Sequence, residues 1–296
     1  VSGYLALSVD LQGIDPEAAE EACFAAGAVS VTLTDAVDDA VLEPAPGEVR
    51  LWPQTVLQAL FPAAHAGPEA ILTLAGALDL PSSRIRAAHV ADRAWEREWL
   101  KDFHSMRFGR RLWIVPNHEP LPAQPEAVSV RLDPGLAFGT GTHPSTALCL
   151  TWLDAHLAPG TTVIDYGCGS GVLALAAARL GARAVHAFDI DPQALIATRD
   201  NAAANGVTDR IQVHESDATL PPQADVVLAN ILAGTLVELA PRLASLLAPG
   251  GHLVLAGILK QQVHEVRAGF APWLELAVFA ERDDWAALSG RRGMAA

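Results

Sequence analysis

Val163-Ile164-Asp165-Tyr166-Gly167-Cys168-Gly169-Ser170-Gly171-Val172 decides how this chain is read. A short apolar run from Thr162 to Ile164 stops at Asp165, and glycines then fill every second position to Gly171. The following residues, Val172 to Leu180, are good helix formers with apolar side chains at helical spacing. The stretch therefore reads as strand, glycine loop, helix. Glycines let the backbone come close to a ligand, and the helix start offers unpaired N–H groups beside it. The rival reading is the dinucleotide fingerprint G-x-G-x-x-G. Counted from Gly167, the third glycine falls one position early, and Val172 stands where that fingerprint needs Gly or Ala. The pattern is D-x-G-x-G-x-G. A tight structural turn could also produce it, so the rest of the chain has to decide.

Downstream, strands and helices alternate. Ala184 to Phe188 is a strand ending in Asp189-Ile190-Asp191-Pro192, and Pro192 opens a helix to about Asn205. Ile211 to His214 and Ala224 to Ala229 are strands, the second ending at Asn230-Ile231-Leu232-Ala233. A helix over Thr235 to Leu247, a turn at Pro249-Gly250-Gly251, a strand from His252 to Gly257 and a helix from Leu259 follow. Trp273 to Ala280 and Asp284 to Ser289 close the chain as a hairpin. Seven strands with alternating helices predict a doubly wound sheet whose last strand is antiparallel.

In such a sheet, ligands sit beyond the carboxyl ends of the strands, where the strand order reverses. Asp165 to Gly171, Asp189-Ile190-Asp191 and Asn230 to Ala233 all fall at strand ends, and their convergence argues more than any one alone. Asp189 lies 22 residues past Gly167, where an acidic side chain reaches ribose hydroxyls. Asp191 competes for that role, but the adjacent Pro192 suits it to N-cap the next helix. Asp217 could accept from an adenine amine or be a surface carboxylate. Before the glycine motif, Asp133-Pro-Gly-Leu-Ala-Phe-Gly-Thr-Gly-Thr-His-Pro-Ser-Thr146 predicts an ordered polar loop feeding a helix near Pro144 to His156.

The first third differs in rhythm. Residues 4 to 9 alternate as a strand, Asp15-Pro16-Glu17 starts a helix, and Gly27 stops it. Val29 to Leu33, Val49 to Trp52 with Thr55 to Phe61, and Ile85 to Val90 read as strands, with a helix over 68–78. The order β-α-β-β-α-β predicts a small ferredoxin-like α+β domain. The boundaries expected are 1–93 for this domain, 94–125 for a connector, and 126–296 for the doubly wound domain. Trp95, Trp99 and Phe103 line one face of a short helix in the connector, and the run Pro116 to Pro125 extends it.

Composition narrows the function. With 51% hydrophobic residues, 296 residues can bury substantial cores. No apolar run approaches the ~18 residues of a membrane span, and Val1 to Asp10 lacks the basic start of a secretory signal. Cys23, Cys149 and Cys168 show no metal-ligand spacing, so a metal-free cytoplasmic protein is expected. A net charge of −14 disfavours a phosphate backbone as partner and suits a basic protein. A monomer is expected.

The chain resembles a known family at several points. Asp133 to Thr146, Asp165 to Gly171, Asp189-Ile190-Asp191 and Asn230 to Ala233 resemble the bacterial methyltransferases of large-subunit ribosomal protein L11. So do Trp95-Glu-Arg-Glu-Trp99, Phe103-His104 and Met106 to Gly109. The resemblance runs from about Ala94 to the C-terminus; residues 1–93 match in length and element order only. It implies a Rossmann-like class I methyltransferase sheet using S-adenosyl-L-methionine. It further implies cofactor contacts at Thr146, Gly167, Asp189 and Asn230, with Gly169 and Gly171 in the same loop. By the chemistry of methyl transfer, the Asn230 carbonyl, or a backbone carbonyl beside it, could accept from the reacting amine and hold its lone pair at the methyl group. The implied substrate is the ribosomal protein, methylated on lysine side chains and the N-terminal amine, with the N-terminal domain recognising it. Methylation of another protein, an RNA or a small molecule is the alternative. Thr235 stands where related Asn-Pro-Pro-Tyr enzymes carry part of an aromatic motif, so no aromatic clamp is argued.

Overall fold

The computed structural model describes residues 3–35, 54–62, 68–91, 104–133 and 143–294. The chain divides into two compact units, Val1–Glu98 and Trp99–Ala296. The expected strand at Val49 to Trp52, the helix striped by Trp95, Trp99 and Phe103, and the loop from 134 to 142 lie outside the described residues.

In the first unit, strands β1 (Gly3–Asp10), β2 (Ser30–Asp35), β3 (Thr55–Pro62) and β4 (Ile85–Ala91) join helices α1 (Pro16–Ala25) and α2 (Pro68–Ala77). The sheet order is β2-β3-β1-β4, antiparallel throughout, which is the ferredoxin-like arrangement expected. Leu5, Leu7 and Val9 face a core shared with Leu57, Phe61, Cys23 and Leu74. Asp15 caps α1 by accepting from Ala18 N–H, Pro16 fills its first turn, and Gly27 leaves it at φ 98°.

The second unit begins before residue 126. Strands β5 (Met106–Phe108), β6 (Leu112–Val115) and β7 (Val128–Arg131) form a small sheet of order β5-β6-β7. The proline run expected as part of a connector is the crossover between β6 and β7, which pair in parallel. Arg131 closes it by donating to the Pro116 and Glu119 carbonyls at 2.5 and 2.6 Å. These strands are short and broken at Gly109, so their periodicity is weak, but Phe108, Leu112, Ile114 and Val130 are buried in the main core.

The large sheet holds β8 (Thr162–Tyr166), β9 (Ala184–Phe188), β10 (Ile211–His214), β11 (Ala224–Asn230), β12 (Leu247–Leu259), β13 (Ala277–Arg282) and β14 (Trp285–Arg291). Its order is β10-β9-β8-β11-β12-β14-β13. Strands β8 to β12 are parallel, and β14 runs antiparallel to both of its neighbours. One face carries α3 (Pro144–His156), α4 (Val172–Arg179) and α5 (Pro192–Ala204); the other carries α6 (Ala233–Glu238), α7 (Ala240–Ser245) and α8 (Val263–Phe270). Every residue of α4 up to Ala178 is buried, so its all-apolar sequence reflects enclosure rather than one wet face.

Two departures matter for the cleft. The single helix expected over Thr235 to Leu247 is two, interrupted at Leu239, because Pro241 starts the second and supplies no N–H to continue the first. The strand expected to end at Gly257 continues to Leu259 through a bulge, where pairing with β14 jumps between Leu255 and Ile258.

Candidate active site

Strand order reverses at β8, which pairs with β9 on one side and β11 on the other. Beyond this point lies a cleft of ≈ 650 Å³, within the range of small-molecule sites. Residues from five strand ends and two helix starts line it, among them Gly167, Gly169, Asp189, Asn230, Gly257 and Trp285.

The glycine loop is built for close approach. Gly167, Gly169 and Gly171 all have positive φ, at 81°, 54° and 80°. A Cβ on Gly167 would strike Ile231, and one on Gly171 would strike the Thr198 side chain. The loop is also tied down. Gly167 and Cys168 N–H donate to the Phe188 carbonyl at 2.8 and 3.0 Å, and Asn201 donates to the Ser170 carbonyl at 2.8 Å. Asp165 is fully buried at the end of β8; one carboxylate oxygen accepts from Ala174 N–H in the first turn of α4 at 2.9 Å. Its other oxygen has no hydrogen-bond partner among the described residues. Burial chiefly, with the charge of Asp189 adding, pushes the Asp165 carboxyl up to about 7.

Asp189 is oriented by the backbone. One oxygen accepts from Gly169 N–H at 2.9 Å and the other from Asp191 N–H at 3.0 Å. Each oxygen keeps a lone pair, enough for two hydroxyls arriving from the cleft. Asp191 instead caps α5, accepting from Gln193 N–H at 2.9 Å. Asp217 is gripped by Arg242 and accepts from the Tyr166 hydroxyl at 3.2 Å. Asn230 ends β11, and its amide nitrogen donates to the Thr146 hydroxyl at 3.1 Å. The carbonyl Oδ1 is then the amide atom left to accept within the cleft.

Of the six residues expected at the site, Gly167, Gly169, Asp189 and Asn230 line the cleft. Thr146 is 1% exposed and reaches it through Asn230, while Gly171 sits behind the loop as the N-cap of α4, packed on Thr198. Sequence reasoning missed the aromatic lining. Tyr166 and Phe188, the paired ends of β8 and β9, stack edge to face at 4.9 Å, and Trp285 meets His143 edge to face at 4.5 Å. Aromatic walls are therefore present, although Thr235 gives none. The signal for Gly257 was a glycine inside a strand pattern; for Trp285 no local signal existed, because β14 is placed by sheet order alone.

These groups suit S-adenosylmethionine: a carboxylate for vicinal hydroxyls, glycines where a Cβ has no room, and aromatic and aliphatic walls for a flat base. Sheet order, glycine loop, acidic second strand end and Asn230 define a class I S-adenosylmethionine-dependent methyltransferase. The sequence profile described as "Ribosomal protein L11 methyltransferase (PrmA)" matches residues 3–293. The chain belongs to that family. Its relatives named ribosomal protein L11 methyltransferase include one from Vibrio cholerae, 52% identical over 269 residues, 90% of each chain. Another, from Pseudomonas aeruginosa, is 52% identical over 286 residues, 94% of this chain and 96% of the relative. The crystal structure of a ribosomal protein L11 methylase from Lactobacillus delbrueckii subsp. bulgaricus is 34% identical with a TM-score of 0.60. That similarity covers 64% of this chain and all of the solved one.

Proposed function

We propose that this enzyme methylates amines of ribosomal protein L11, both lysine side chains and the N-terminal α-amine. The observation that carries the chemistry is Asn230 at the end of β11, its amide nitrogen held by Thr146 and its carbonyl left to accept. S-adenosylmethionine supplies a methyl group on a positively charged sulfur, ready for in-line displacement. The protein's residues bind and position. Gly167 and Gly169 offer backbone, Asp189 fixes a diol, and Tyr166, Phe188 and Trp285 exclude water. Asn230 Oδ1 accepts an N–H of the incoming amine and aims its lone pair at the methyl group. Positive charge moves rather than being created, so orientation carries most of the rate gain. The amine must arrive neutral. At pH ~7.4 a free lysine of pKa ~10.4 is neutral about one time in a thousand, a handicap of roughly 4 kcal/mol, whereas an α-amine of pKa ~8 loses less than roughly 1 kcal/mol.

The reading also assigns the N-terminal unit to docking of the ribosomal protein; a net charge of −14 over the chain suits a basic protein partner. The expected setting is the cytoplasm, with the enzyme a monomer that makes no direct contact with nucleic acid. Methyl-labelled cofactor incubated with purified L11 and, in parallel, with ribosomal RNA tests the assignment. Label on lysines and the α-amine of L11, located by mass spectrometry, is the expected result; label confined to RNA would overturn it.

A further inference from the structure

The cleft's Tyr166 wall is braced by charged groups that the transfer reaction does not use. Tyr166 stacks on Phe188, and its hydroxyl donates to Asp217 at 3.2 Å. Asp217 stands in the short turn Asp217–Thr219 after β10, where Ser216 caps the turn by accepting from Ala218 N–H. Arg242, on α7, reaches that turn from the other side of the sheet order. Its Nε donates to both carboxylate oxygens at 2.7 and 3.0 Å, and its Nη2 donates to Asp217 Oδ1 and to the Asp217 carbonyl, the latter at 3.0 Å. This fork holds backbone and side chain together, which the compact ammonium of lysine cannot reproduce. The break at Leu239 and the restart at Pro241 set where Arg242 leaves α7.

We propose that Arg242 is a positioning residue for cofactor binding: through Asp217 it fixes the Tyr166 hydroxyl, and with it the ring that forms one wall of the cleft. Arg242 does not line the cleft itself, so its action is indirect. The ion pair has a second effect. It occupies Asp217, which would otherwise be a loose carboxylate close to an aromatic wall and free to recruit water. Burial chiefly, and then Asp217, push the Tyr166 hydroxyl up to about 12, so it stays a donor across the physiological range. The inference rests on the cleft being the S-adenosylmethionine site.

Calorimetric titration of the full chain with S-adenosylmethionine and with its demethylated product tests it. No saturable binding by the unaltered protein would sink the site assignment, independently of Arg242. Given binding, Tyr166→Phe is expected to raise Kd roughly threefold to fivefold and Arg242→Met roughly tenfold, the scale of losing one shared hydrogen bond and then the anchor behind it. Because both act through one path, the double variant should bind no worse than Arg242→Met alone. Arg242→Lys should recover part of the loss. Melting temperature measured alongside separates a merely structural role. A lower melting temperature with unchanged Kd in Arg242→Lys and Arg242→Met would overturn the proposal, as would fully additive effects in the double variant.

Discussion

At the scale of single residues, the site depends on polar side chains whose orientation is settled by backbone donors. Asp189 receives N–H groups from Gly169 and Asp191, so its carboxylate is aimed before any ligand arrives. Asp189→Ala is expected to weaken S-adenosylmethionine roughly tenfold to a hundredfold by titration calorimetry, the loss of two charge-assisted hydrogen bonds. An unchanged Kd would remove Asp189 from the site. Asn230→Ala should cut the single-turnover rate at saturating cofactor at least about tenfold, since the amine loses its orienting acceptor. A normal rate under those conditions would leave Asn230 with at most a binding role. Burial shifts the Asp165 carboxyl upward, opposite to the shift of an acid paired with a cation. Its folded pKa of about 7 lies above the ordinary carboxylate value, so its contribution to stability is full at low pH and is lost as pH rises through about 7. Asp165→Asn should flatten that part of the stability profile in thermal melts from pH 4 to 8. A profile that keeps the same fall toward pH 8 would assign it to another group.

At the scale of elements, the parallel strands were legible because their ends carry unusual residues. The D-x-G-x-G-x-G loop, Asp189 and Asn230 each mark a point where an apolar run stops, and the structure places all three at one cleft. Gly171 and Thr146 look the same in sequence, yet they serve from behind, one under Thr198 and one through Asn230. Spacing reports which strand end a residue belongs to but not which way it faces. Gly257 is the converse case. Its φ of 80° and the closeness of the Ile231 backbone leave no room for a Cβ. Gly257→Ala is therefore expected to lower the melting temperature and weaken cofactor binding together, because the bulge lies in the cleft wall. The turn after β10 is held from its far side by His214, whose Nδ1 lies 2.9 Å from the Thr219 hydroxyl and whose Nε2 lies 2.9 Å from His186 Nδ1. Burial chiefly lowers the pKa of both rings. Their contribution to stability is present above the ordinary histidine range and is lost as pH falls through their depressed values, opposite in sign to that of Asp165.

At the scale of the whole molecule, the described residues that line the cleft all belong to the second unit, Trp99–Ala296. A fragment from Ser105 to the C-terminus keeps β5 and the buried Phe108, Leu112 and Ile114 that complete the core. It is expected to fold and bind S-adenosylmethionine with near-normal affinity while losing most activity on intact L11, since a docked substrate no longer offsets the cost of finding the amine. Full activity on L11 would sink the docking role of the first unit. The order of the sheet has a further consequence, this one in time. Strand β14 is last in the sequence yet lies between β12 and β13, and it brings Trp285 to the cleft. A growing chain that has been translated only to Arg282 has every glycine and carboxylate of the site, but β13 has no neighbour to pair with and one aromatic wall is missing. The wall that Trp285 supplies is therefore in place only once β14 has been made and has paired with β12 and β13, so the glycine loop and its carboxylates are translated before the cleft they serve can be enclosed.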